Sequence, residues 1–232
     1  MSNQQKRVSP GSVAVMLLIV FGLPFLPLLI TSRWDWWEAW IYAGICIVGF
    51  VASRWLAARR NPGLLTERAR FLQIPDAQPW DKLLAPLLGV GGGLLPLVAG
   101  VEARLDPSPG FGLALKGLAL ALILAGYALA SYALVANPFF SGMVRLQTER
   151  GHHVVSSGPY RWIRHPGYAA ALITYLPTAI LLDSTWAFVP AALIVVVLIV
   201  RTRLEDQFLR AKLDGYREYA ARVRHRLLPG VW

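Results

Sequence analysis

The side chains able to do chemistry gather in the last hundred residues of this 232-residue chain. Residues 147–168 read Gln-Thr-Glu-Arg-Gly-His152-His153-Val154-Val155-Ser-Ser-Gly-Pro-Tyr160-Arg-Trp-Ile-Arg164-His165-Pro166-Gly167-Tyr168. Thirty-three residues on comes Arg201, then Arg203, Glu205 and Asp206. Together they offer a carboxylate for hydroxyls or amines, guanidinium groups for carboxylates, and aromatic rings for a flat ring or a cation. Gly158-Pro159 predicts a turn. His165 precedes a proline and is biased out of the helical region. Pro166 and Gly167 then suit the first positions of a helix. A polar, irregular loop is thus delivered to a helix N-terminus, whose free N–H groups favour an anionic group.

Apolar runs must position that loop. The chain is 56% hydrophobic and 16% charged, with a mean hydropathy of +0.48. Soluble domains carry about 25% charged residues. Disorder and an ordinary soluble globule are both excluded on this composition. A spanning helix needs about 20 apolar residues. Six candidates cover about 13–30, 37–57, 83–101, 112–136, 167–182 and 185–200, with 83–101 and 167–182 the weakest, so the expected count is five to six. Asp183-Ser184 alone is expected to join the last two as a hairpin, bringing Arg201 and Glu205 back beside His165. In a continuing helix Arg201 and Glu205 also lie four apart, a spacing that allows a surface ion pair. A short helix is expected near 64–71. Gly91-Gly92-Gly93 predicts a close helix contact or a kink, and Trp34, Trp36, Trp37 and Trp40 an interfacial belt. Beyond Leu204 the pattern predicts an amphipathic basic helix lying over the pocket, then a Pro229-Gly230 turn.

The charges give the topology. The net charge is +10. With alternating spans, three of the 23 Lys and Arg (Arg33, Arg104, Lys116) fall opposite the N-terminus and all others on its side. That bias places both termini and the larger loops in the cytoplasm, here of a bacterial inner membrane. Basic residues scattered over separate loops do not predict a nucleic-acid partner. Lys116, near a span end, is expected to snorkel. The single cysteine, Cys46, excludes an intrachain disulfide. No metal site is expected at His152-His153, which lack nearby carboxylates and thiols. The expected architecture is all-α and polytopic, with membrane helices over 1–136 and a reactive region with its tail over 137–232.

Gly158-Pro-Tyr-Arg-Trp-Ile-Arg-His165-Pro-Gly-Tyr168, the apolar hairpin, Glu205-Asp206, Tyr216-Arg-Glu-Tyr219-Ala-Ala-Arg222-Val and the final Leu-Leu-Pro-Gly-Val-Trp resemble the isoprenylcysteine carboxyl methyltransferase family. Phospholipid N-methyltransferases share this C-terminal half. The resemblance implies a non-Rossmann helical membrane fold, S-adenosylmethionine (SAM) as methyl donor in a cytoplasmic C-terminal pocket, and a lipophilic or lipid-modified acceptor from the bilayer, with a carboxylate favoured. Carried over by motif, donor contacts fall on Gln147, His152, His153, Val154, Val155, Tyr160, His165, Pro166, Gly167, Tyr168 and Glu205. Arg201 matches the position that contacts the acceptor, with Arg164, Tyr219 and Arg222 as further substrate candidates. Relatives often have Glu-Glu where this chain has Glu205-Asp206, and the first acid is expected to matter more. Two other readings remain: an NADPH-dependent membrane reductase of the sterol-reductase type, whose C-terminal end is similar, and a non-catalytic membrane scaffold or transporter. Few ionisable residues at mid-span disfavour the last.

Overall fold

The computed structural model describes residues 17–69, 74, 76–106 and 110–232. The start of the first apolar run, Lys6, Arg7 and the end of the expected 64–71 helix lie outside the described residues. Among those described, all regular structure is helical. After a short π and 3-10 stretch over residues 18–25 come α1 (Leu26–Thr31), α2 (Trp37–Arg60), α3 (Pro62–Ala69), α4 (Asp81–Leu105), α5 (Leu113–Ala136), α6 (Pro166–Leu181), α7 (Phe188–Lys212) and α8 (Tyr216–Arg222).

Among the described residues three helices are long and apolar enough to cross a membrane: α2, α4 and α5. Of the five to six spans expected, length and apolarity support these three. Pro24 and Pro27 divide the first apolar run into short pieces of different winding. The α6 helix has 16 residues, about 24 Å at 1.5 Å per residue, against a hydrocarbon core of about 30 Å. The α7 helix has 25 residues, but its apolar part ends at Val200 and the helix continues through Arg201, Arg203 and Glu205. The hairpin link is also longer than expected. It runs over 182–187, with Asp183 in the left-handed region at φ 51°.

Small residues let the helices approach. A Cβ on Gly126 of α5 would stand 2.1 Å from Thr174 Oγ1 on α6, and one on Gly91 would stand 2.7 Å from Ile194 on α7. The Gly91 run is therefore a helix contact. The buried core between these helices includes Leu28, Leu95, Ile123, Leu181, Ile194 and Leu198. Leu64 of α3 buries against Ala57 and Leu134, so α3 is tied to the ends of α2 and α5. Trp34, Trp37 and Trp40 are exposed, as an interfacial belt requires, whereas Trp36 is buried in the core.

Two ends of the bundle result. One carries α3, the 137–165 loop and the C-terminal segment. The other carries the α1–α2, α4–α5 and α6–α7 links. At this second end Lys116 does not snorkel. It is buried and donates to Glu38 and, at 2.5 Å, to Asp183. Nearby, Glu102 accepts from the hydroxyls of Ser184 and Thr185 and from the backbone N–H groups of Thr185 and Trp186. Carboxylates within reach outcompete the aqueous interface for the ammonium, a pairing no local pattern encodes.

Candidate functional site

The first end of the bundle contains a cavity with about 1000 Å³ of atom-free space, part of it open to solvent. The loop preceding α6 forms one wall. His165 caps α6 and Pro166 takes its first position, as the sequence predicts. Gly167 fits only because it lacks a side chain: a Cβ there would stand 2.6 Å from the Phe140 ring. The His165 and Tyr168 rings stack 5.7 Å apart and 9° from parallel. His165 Nε2 is buried without a hydrogen-bond partner, its approach to Asp206 Oδ1 being 3.6 Å.

The 147–155 segment forms a second wall. Buried Gln147 donates from Nε2 to Phe139 O at 2.8 Å and accepts from Arg150. The His152 ring lies 4.5 Å from the Phe139 ring, and its Nδ1 accepts from Gln147 N at 3.3 Å. Burial, with the like charges of His153, Arg145 and Arg150, lowers the His152 pKa to about 4. The ring is thus neutral at pH 7. Arg145 anchors the segment on α3 through two bonds to Glu67 at 3.0 and 3.1 Å, with Asp76 at 3.1 Å and Glu149 at 2.6 Å.

The two adjacent acids of α7 do opposite things. Glu205 lines the cavity and accepts from Tyr168 OH at 2.5 Å through Oε2. Asp206 points away and is fully buried. It accepts from Arg164 at 2.7 and 3.3 Å, Arg210 at 3.0 Å, Arg226 at 3.1 Å and Tyr216 OH at 3.1 Å. Burial opposes its ionisation, but His165 and Arg164 outweigh burial and hold the carboxyl far below the usual carboxylate range.

Arg164 is placed by the same hub. Its Nη1 donates to Val223 O and Arg224 O at 2.5 and 2.8 Å, so each guanidinium nitrogen has a protein acceptor. The backbone N–H groups of Arg164 and His165 donate to His225 O and Arg226 O, drawing the C-terminal segment over the loop. In place of one long basic helix, α7 ends at Lys212, Gly215 turns the chain at φ 76°, and α8 is seven residues long. Tyr219 is buried and donates to Tyr160 O at 2.6 Å.

Arg201 does not pair with Glu205. Its Nε and Nη2 donate to Asp81 of α4 at 2.7 and 2.9 Å, and Nη2 also to Gly142 O at 2.8 Å. Asp81, fully buried, also accepts from Val144 N at 2.6 Å. Arg201 Nη1 has no acceptor among the described residues, and its guanidinium carbon lies 5.3 Å from the Tyr168 ring centre.

All eleven expected donor residues line this one cavity, together with Arg164, Arg201 and Tyr219. Arg222 does not. It is exposed in a separate groove with Trp162, Arg224 and His225. The sequence reading missed Asp81, Arg68 and Arg145. Only Asp81 gave any signal, as a lone acid opening an apolar run, and its partner lies 120 residues away.

The cavity can hold a ligand between aromatic and aliphatic walls, present a carboxylate at one point and guanidinium groups at another, and exclude much of the water. Residues 118–211 match the isoprenylcysteine carboxyl methyltransferase (ICMT) family. Over 115 residues the chain is 29% identical to a probable protein-S-isoprenylcysteine O-methyltransferase of Oryza sativa subsp. indica, a match that takes in 48% of this chain and 60% of the rice protein. The corresponding protein of Oryza sativa subsp. japonica matches to the same extent. The chain thus spans about 60% of the length of the curated relatives it matches. The matched segment contains the 147–168 loop, α6 and the part of α7 that bears Arg201, Glu205 and Asp206, and over that segment the chain is similar to the ICMT family.

Proposed function

We propose that this protein is an integral-membrane methyltransferase that uses SAM to esterify the carboxylate of a lipophilic, isoprenylcysteine-like acceptor at the cytoplasmic face. The observation that carries the reading is the convergence of the eleven motif residues on one cavity whose free carboxylate is Glu205. The cavity suits the donor chemically. Oε1 of Glu205 is left for an ammonium or a hydroxyl, since Tyr168 holds Oε2. The orphaned His165 Nε2 calls for a polar partner. Phe139, Val154, Val155, Leu209 and Leu213 offer flat and apolar walls.

When bound, SAM supplies an electrophilic methyl on a sulfonium that leaves as a neutral thioether. A carboxylate acceptor is ionised at neutral pH and needs no general base, which suits a cavity where His152 is neutral and Arg201 stays charged. The work left to the protein is alignment and exclusion of water. Asp81 fixes Arg201 Nε and Nη2, so the remaining Nη1 edge is available to orient the acceptor. Because Asp81 shares that charge, the grip on the acceptor is moderated and its oxygen stays nucleophilic. Residues 223–226 and Tyr219 close the wall against solvent.

The test is methyl transfer by purified protein in detergent, with methyl-labelled SAM and N-acetyl-S-farnesylcysteine. Label that mild alkali releases as methanol identifies an ester and supports the reading. Alkali-stable label on an amine lipid, or no transfer at all, overturns it.

A further inference from the structure

Arg68 lies outside the family match, yet it lines the cavity. It sits on α3, whose Leu64 is locked under the ends of α2 and α5. Nη1 donates to Phe140 O at 3.2 Å, and the guanidinium carbon lies 5.3 Å from the centre of the Phe140 ring, the ring that Gly167 admits. Nε is buried with no hydrogen-bond partner. Among the described residues no carboxylate pairs with it. Burial, with the like charges of Arg54 and Arg201, lowers its pKa to about 9 against a smaller opposite influence of Tyr168 and Tyr160.

Arg68 is half-buried, with its Nε fully enclosed, and it contrasts with the fully buried cations. Arg164 has Asp206, Arg145 has Glu67, Arg201 has Asp81 and Lys116 has Glu38 and Asp183. A buried charge without a partner is costly, and a buried donor without an acceptor adds to that cost. Both costs are relieved if an anion enters the cavity. Arg54 and Arg201 stand at the ends of the apolar stretches of α2 and α7, where a lipophilic ligand would bring its polar head.

Resting on the methyltransferase reading, we propose that Arg68 is a second acceptor-positioning residue: with Arg201 it forms a two-guanidinium seat that selects a carboxylate head over a neutral one. The N-terminal helices then build the acceptor site as well as shield it. Arg201 presents one nitrogen, Nη1, while Arg68 presents Nε, so the two cations can hold different oxygens of one carboxylate. This explains why the cavity retains a cation that the fold itself does not neutralise.

The experiment uses the full chain in detergent with S-adenosylhomocysteine present, and calorimetry of two probes: N-acetyl-S-farnesylcysteine and its carboxamide. SAM affinity is measured on the same preparations. In the wild type the carboxylate probe binds at least about tenfold tighter than the amide, the scale of a charge-assisted hydrogen bond. In Arg68→Gln that preference shrinks about tenfold while SAM affinity holds, and Arg68→Lys restores most of it. A preference unchanged in Arg68→Gln overturns the proposal. So does a wild type that does not discriminate between the probes or takes up neither, and so does a loss of SAM affinity equal to the loss for the carboxylate probe. Wild type that discriminates between the probes but does not bind SAM overturns the methyltransferase reading and leaves the seat standing.

Discussion

The two ends of the helical bundle both bury charges and use them differently. At the link end, Lys116 is neutralised by Glu38 and Asp183, and Glu102 is wrapped by hydroxyl and backbone donors of the α6–α7 link. At the cavity end, Asp206 is over-supplied with donors, while Arg68 Nε lacks an acceptor and His165 Nε2 a partner. Among the described residues these are the two buried side-chain polar atoms without a partner. Folded proteins satisfy most buried polar groups. The contrast separates charges that hold helices together from charges kept for a ligand.

That separation can be broken at either end. Lys116→Met leaves two carboxylates without their cation, and removing one member of a buried pair costs about 3–5 kcal/mol. The melting temperature in detergent falls sharply, while SAM affinity of the folded fraction stays within about twofold, because sites this far apart behave additively. Unchanged stability would mean that the link-end cluster is not structural. Asp206→Asn strands Arg164, Arg210 and Arg226 and costs stability on the same scale. It also loosens the 223–226 segment that Arg164 holds, so SAM affinity falls with the melting temperature. Loss of stability without loss of affinity would show that the segment does not close the cavity.

A smaller effect sharpens the role of Arg68. Its pKa of about 9 reflects burial, Arg54 and Arg201, against the lesser opposite influence of Tyr168 and Tyr160. A base with a lowered pKa loses its charge as pH rises through that value. Affinity for the carboxylate probe should therefore be level from pH 7 to 8, fall by severalfold above about pH 9, and lose that fall in Arg68→Gln. Persistence of the fall in the variant would assign it to another group.

The smallest effect concerns His152. Its pKa is lowered from 6.5 to about 4, so the unfolded chain takes up a proton that the folded chain refuses. This contribution to stability is present above 6.5, declines as pH falls from 6.5 to 4, and changes no further below 4. His152→Gln should flatten that part of a plot of melting temperature against pH. A plot that keeps its slope would place the titration elsewhere.

Much of this was legible in the sequence. Long apolar runs located α2, α4 and α5, because burial in lipid leaves a hydropathy signal that needs no partner. The His165-Pro166 break and the return of α7 beside it followed from local backbone rules. Long-range pairing was not legible. Arg201 and Glu205 have helix-neighbour spacing, yet Arg201 turns to Asp81, where two parallel hydrogen bonds in a buried setting outweigh one exposed contact. Glu205 and Asp206 are adjacent and chemically alike. Only the 100° step between them on α7 sends one into the cavity and the other into the hub. Arg68 carried no local signal, since its meaning lies in the partner it lacks.

The central claim is that the cavity end holds a methyl donor through Glu205, and calorimetry of SAM binding to wild type and Glu205→Gln tests it most directly. The account predicts measurable binding to the wild type, about 10- to 100-fold weaker binding to Glu205→Gln from loss of a charged hydrogen-bond partner, and an unchanged melting temperature. Equal binding by the two proteins, or folded wild type that binds no SAM, would contradict it.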